Sequence, residues 1–117
     1  MRILIVDDND QMRRLIKSIV SNPADEVFEA NDGSEALSKY AACRPDWVLM
    51  DIEMKAVDGL SATRTIRRHF PDARIVMVTE YDDPDWREEA RAAGACGYVL
   101  KENLFDLRRI LSAPSTS

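Results

Sequence analysis

Residues 2–8, Arg2-Ile3-Leu4-Ile5-Val6-Asp7-Asp8, decide how the rest of the chain is read: an unbroken aliphatic run, mostly β-branched, leads straight into two acids. Such a run suits a strand covered on both faces, as in a parallel sheet. Arg2 to Asp7 is therefore expected as the first strand. Carboxylates placed directly after a buried strand sit where desolvation penalises charge, so Asp7 and Asp8 call for a chemical explanation.

Outward from this strand, helical and strand signals alternate. Met12, Leu15, Ile16, Ile19 and Val20 recur at helical spacing, with Asp10 expected to cap the start and Pro23 just past the end. Val27 to Ala30 reads as a strand, and Ala36, Leu37, Tyr40 and Ala41 as one helix face. Trp47 to Met50 is a third strand, followed by the helical face Leu60, Thr63, Ile66 and Phe70. Ile75 to Val78 forms a fourth strand, and Trp86, Ala90 and Ala93 a helix ended by Gly94. Gly97 to Leu100 makes a fifth strand, and a last helix runs from about Leu104 to Ser112. Five strand-helix units joined by short loops predict a three-layer, doubly wound α/β sheet, because right-handed crossovers place helices on both faces. The domain is expected to occupy residues 1–112, with 113–117 (Ala-Pro-Ser-Thr-Ser) as a tail or the start of a linker.

Composition narrows the functions. A chain of 117 residues with 45% hydrophobic content supports one packed core. Sixteen basic against 21 acidic residues give a net charge of −5, which argues against nucleic acid as a direct partner. Cys43 and Cys96 lack the number and spacing of a zinc site or disulfide framework, which points to a reducing cytoplasm. Met1 to Val6 is too short for a signal peptide, and no apolar stretch nears the roughly 18 residues of a membrane span. A soluble cytoplasmic protein is expected.

In open doubly wound sheets, ligands bind beyond the carboxyl ends of the strands. Here those ends carry Asp7-Asp8, Asp51, Thr79 and Lys101. If strands one and three are neighbours, about 4.8 Å apart, three carboxylates crowd together and resist joint ionisation. A hard divalent cation relieves this, and an all-oxygen set without His or Cys suits Mg2+. Asp8 and Asp51 are the expected direct ligands, with Asp7 acting directly or through water. Asp51 can then serve as a nucleophile that forms an acyl phosphate. The Lys101 ammonium would neutralise the phosphoryl oxygens, and the Thr79 hydroxyl would donate to one of them.

The pattern resembles the receiver domain of two-component response regulators over essentially the whole chain. The matching pieces are Val6-Asp7-Asp8-Asn9, Asn31-Asp32-Gly33 with Glu35-Ala36-Leu37, Asp51-Ile52-Glu53-Met54 with Asp58-Gly59, Thr79, and Gly97-Tyr98-Val99-Leu100-Lys101. With that resemblance the expected sheet takes the flavodoxin-like strand order 2-1-3-4-5. The resemblance implies a Mg2+-dependent phosphorylation switch and not a turnover enzyme. A histidine kinase or phosphotransfer protein supplies the phosphoryl group to Asp51. The Glu53 backbone carbonyl completes the metal ligands Asp7, Asp8 and Asp51, and Thr79 with Tyr98 forms the switch. Lys101-Glu102, in place of the frequent Lys-Pro, resembles receivers that precede a LuxR-type helix-turn-helix, so an output domain beyond this chain and a homodimer through the receiver are further implied partners.

Two residues depart from the family pattern: Glu80 stands where a small residue is usual and Lys55 where proline is frequent. Glu80 is expected to cover the phosphoryl site in part, held aside by Lys55. His69 reads as a structural residue near a helix end, Trp47 and Trp86 as packing residues, and Asp82, Asp83 and Asp85 as caps. Three rival functions remain at this level. They are a receiver-like binding module independent of phosphorylation, a small haloacid-dehalogenase-type phosphatase using Asp8 of Asp8-Asn9-Asp10, and a flavodoxin-like electron carrier. The last is disfavoured by the acidic loop after strand one.

Overall fold

The computed structural model describes residues 1–112; the tail expected at 113–117 lies outside the described residues. Strands β1 (Arg2–Val6), β2 (Glu26–Ala30), β3 (Trp47–Met50), β4 (Ile75–Thr79) and β5 (Gly97–Leu100) pair in parallel in the order 2-1-3-4-5. Helices α1 (Asp10–Val20), α2 (Gly33–Cys43), α3 (Gly59–His69), α4 (Pro84–Ala93) and α5 (Asp106–Ser112) supply the crossovers, with a 3-10 turn at Lys101–Asn103.

Alternation along the strands explains the three layers. Ile3 and Ile5 of β1 join Leu49, Val76, Val78 and Val99 in a core closed by Ile16 and Ile19 of α1 and Leu107 and Leu111 of α5. Leu4 and Val6 point the other way and join Val48, Met50, Ile75 and Met77 beneath Ala36 and Tyr40 of α2, Leu60 and Ile66 of α3 and Ala90 of α4. Period two sends successive side chains to opposite cores, so residues 3–6 of β1, all of β3 and residues 75–78 of β4 are apolar. Each fully buried aliphatic side chain contributes about 1.5–3 kcal/mol to the fold.

Several local expectations need correcting. Asn9, not Asp10, caps α1: its side-chain oxygen accepts the Met12 amide at 2.9 Å. Asp10 sits one residue inside the helix and pairs with Arg13. Asp83 occupies the cap position of α4 without a side-chain bond, the helix being started by Pro84 at its first turn. The last helix does not begin at Leu104; a 3-10 turn intervenes and α5 starts at Asp106. Leu15 and Ala41 face solvent, so the apolar faces of α1 and α2 are narrower than their periodicity implied. His69 is held structurally, its Nδ1 lying 2.9 Å from the Thr65 carbonyl oxygen.

Candidate functional site

Register brings the acids together. Val6 lies beside Met50 across the β1–β3 pair, and the Asp51 amide donates to the Val6 carbonyl at 2.9 Å. Asp7 and Asp51 therefore leave the sheet at the same level on adjacent strands. Single oxygens of Asp7, Asp8 and Asp51 lie within 4.8 Å of one another. Asp7 is 1% and Asp51 6% exposed, whereas Asp8 is half-buried at the rim. Lys101 arrives from the end of β5, its Nζ 3.1 Å from Asp7 Oδ2 and 3.3 Å from Asp51 Oδ2.

Burial dominates the electrostatics of Asp51. It pushes the carboxyl from its ordinary 3.8 up to about 6; Lys101 pulls back and Asp7 adds to the rise. Burial by itself would lower the Lys101 ammonium, but Asp51 and Asp7 outweigh it and hold the group above its ordinary value. One ammonium thus pairs with two of the three clustered carboxyl groups.

Whether this set fits a cation is tested by Asp7. Its Oδ1 accepts the Asn9 amide at 2.8 Å, while the fully buried Oδ2 receives no hydrogen bond. Lys101 stands close to that oxygen as an ion partner but is not aligned to donate to it. A buried carboxylate oxygen without a donor, among other carboxylates and no nitrogen or sulfur ligand, fits a hard divalent ion.

Around the acids opens a cleft of about 370 Å³ lined by Asp8, Asp51, Glu53, Thr79, Glu80 and Lys101, among others. Thr79 ends β4, 1% exposed, and its hydroxyl accepts the Tyr81 amide at 3.2 Å. The same residue, Tyr81, offers its carbonyl to the Tyr98 hydroxyl at 2.5 Å and stacks its ring on Trp86 at 4.9 Å between centroids. The Arg87 guanidinium lies 4.6 Å above the Tyr98 ring. Thr79 and Tyr98, expected from the sequence to work together, meet through this one intervening residue. Trp47 packs as expected, at the opposite end of β3, beneath the Arg74 guanidinium.

The expected pairing of Glu80 with Lys55 is absent among the described residues; both side chains are exposed and no ion pair joins them. Two contributors were missed by sequence reasoning. Arg13 donates to the Asp7 carbonyl and pairs with Asp10 and with Glu29, the latter at 2.9 Å, tying α1 to the end of β1. Asp32 caps α2 and also grips the segment after Asp51. An apolar-spacing pattern carries no signal for either, although Asp32 lies within a motif quoted above.

Comparison with known proteins agrees with this geometry. Residues 3–113 match the family model described as the response regulator receiver domain. The chain is 40% identical over 113 residues to the chemotaxis protein CheY of Bacillus subtilis, covering 96% of this chain and 92% of that one. It is 40% identical over 106 residues to the regulatory protein AtoC of Escherichia coli, covering 91% of this chain but 23% of AtoC. A LuxR-family two-component response regulator from Aurantimonas sp. superposes with a TM-score of 0.87 at 34% identity, covering 94% of this chain and 81% of that one. The chain belongs to the response regulator receiver domain family, whose members are signalling phosphoacceptors of two-component systems. Receiver domains bind Mg2+ through acidic residues and interact with histidine kinases and phosphotransfer proteins. No helix among the described residues is long and apolar enough to cross a membrane.

Proposed function

We propose that Asp51 accepts a phosphoryl group from a phosphohistidine on a histidine kinase or phosphotransfer protein. The observation that carries this is the burial of Asp51 between Lys101 and Asp7 at the floor of an open cleft. An Asp51 oxygen attacks phosphorus, and the P–O bond forms as the P–N bond breaks. The bonding pair leaves with the imidazole, which takes up a proton. Asp7, Asp8, Asp51 and the Glu53 carbonyl would hold Mg2+, which when bound neutralises charge on the phosphoryl oxygens. Lys101 supplies a further positive charge, released in part from Asp51 once that carboxylate becomes an acyl phosphate.

The switch follows from the contacts of Tyr81. Thr79 turns its hydroxyl toward the phosphoryl group and gives up the Tyr81 amide, whose carbonyl anchors Tyr98. Phosphorylation thereby biases the face built by α4, β5 and α5. Residues 1–112 act as the receiver, and 113–117 as a tail or the start of a linker. A helix-turn-helix output domain beyond the chain, a homodimer through the receiver and a cytoplasmic location complete the reading. In the same view Glu80 hinders small phosphodonors at the cleft mouth.

Incubation with Mg2+ and a phosphorylated kinase, with acetyl phosphate in parallel, followed by intact-mass measurement tests this. One added phosphoryl group is expected on the wild type and none on Asp51→Asn. Equal labelling of the two in the kinase reaction would place the acceptor elsewhere and refute the reading.

A further inference from the structure

One buried carboxylate remains without a task in this scheme. Asp32, 8% exposed, caps α2 by accepting the Ser34 amide on Oδ2 at 2.8 Å. Helix capping requires no more than that single bond. Yet Oδ2 also accepts the Val57 amide at 3.2 Å, and Oδ1 accepts the Ala56 amide at 3.0 Å. Both donors lie more than 20 residues downstream, on the segment that joins Asp51 to α3.

The other end of that segment is fastened as well. The Gly59 amide donates to the Ile52 carbonyl at 2.7 Å, and a Cβ on Gly59 would sit 1.9 Å from the Asp51 carbonyl oxygen. Beside Asp32, a Cβ on Gly33 would lie 2.3 Å from the Val57 carbonyl oxygen, so α2 begins in backbone contact with the segment. Glu53, Met54 and Lys55 form the short arc between these two fastenings. Hydrogen bonds to an ionised acceptor are roughly twice as strong as neutral ones, and the N-terminus of α2 favours that charge. Burial opposes ionisation of Asp32, but the amides of Ser34, Ala56 and Val57 prevail and hold its carboxyl below the ordinary range.

We infer that Asp32 is a positioning residue for the metal site: by gripping Ala56 and Val57 it sets where the arc places the Glu53 carbonyl relative to Asp51, and so sets the affinity for Mg2+. The inference rests on the proposed assignment of Glu53 as a ligand. Groups that orient metal ligands from behind typically alter affinity by about 10- to 100-fold when removed.

Serine at this position keeps a helix cap but is too short to reach the arc. Mg2+ titration of the metal-free chain by calorimetry is expected to give Asp32→Ser a Kd at least about tenfold weaker than wild type. Helix content should be preserved, and amide exchange at Ala56 and Val57 should be faster in the metal-free protein. Ile3→Val, at the far end of β1, controls for a general loss of stability and should leave the Kd unchanged. If Asp32→Ser does not fold, Asp32→Asn, which keeps one acceptor oxygen, should bind Mg2+ less tightly than wild type. Faster exchange at Ala56 and Val57 with a Kd within twofold of wild type, in whichever variant folds, overturns the inference. Failure of the wild type itself to bind Mg2+ overturns the site assignment instead, and the inference with it.

Discussion

Replacing Asp51 with asparagine should make the metal-free protein more stable, because its carboxyl is held in a place that disfavours its charge. Its carboxyl is raised from 3.8 to about 6 in the folded state. A folded-state value above the unfolded one means the native protein binds the proton more tightly. The group's contribution is therefore most favourable below about pH 4 and is lost as pH rises through 6. At pH 8 the loss is of order 2–3 kcal/mol, taking ~1.4 kcal/mol per pKa unit. Asparagine keeps the shape without the charge, and Lys101 retains Asp7 as its partner. For a chain of this size the gain corresponds to about 8–12 °C in Tm. Thermal unfolding in EDTA at pH 8 and at pH 4 measures it. The other carboxyl groups titrate in both proteins, so the difference between them isolates Asp51. The gap should be large at pH 8 and nearly closed at pH 4. Added Mg2+ should narrow it at pH 8 by stabilising the wild type. An Asp51→Asn protein no more stable than wild type at pH 8, or a gap independent of pH, would refute the reasoning.

Three further outcomes are expected. Lys101→Met leaves Asp7 and Asp51 buried without their counter-ion and should cost about 3 kcal/mol at pH 8, less near pH 5 where Asp51 takes up a proton; urea unfolding at the two pH values checks this. Gly59→Ala drives a methyl group into the Asp51 carbonyl oxygen and should destabilise by about 1–3 kcal/mol. It should also weaken Mg2+ binding, as read by urea unfolding and calorimetry. Glu80→Ala should speed labelling by acetyl phosphate several-fold and labelling by the kinase less; equal rates for both proteins with acetyl phosphate would remove Glu80 from any gating role.

Sequence reasoning served best where physics is local and periodic. Trp47 to Met50 was delimited correctly because a fully buried strand admits no polar residue, and the acids stood out because they follow such strands directly. It failed where one local rule competes with another. Asn9 and Asp10 are both good caps, and the one chosen depends on where β1 releases the chain. Leu15 fits a helical stripe, yet it lines an open cleft shared with Leu104, Phe105 and Arg108 and stays exposed. Asp32 could be read as a cap from its position before Gly33. Its second role, gripping Ala56 and Val57, depends on a loop more than 20 residues away, and no neighbouring pattern encodes that distance. The ties from Tyr81 to Thr79, Tyr98 and Trp86 were hidden for a related reason, being made largely by backbone atoms whose partners are set by the path of the β4–α4 turn.

The stacking of Trp86 on Tyr81 has an optical consequence. The two indoles of this chain stand at opposite ends of the sheet, one beside the acceptor cleft and the other, Trp47, under Arg74 at the entry to β3. The rearrangement around Thr79 proposed above would alter the surroundings of the first and leave those of the second alone. On that proposal Trp86 would serve as an intrinsic fluorescent probe of the cleft, and its occupancy should be readable in solution without attaching a dye.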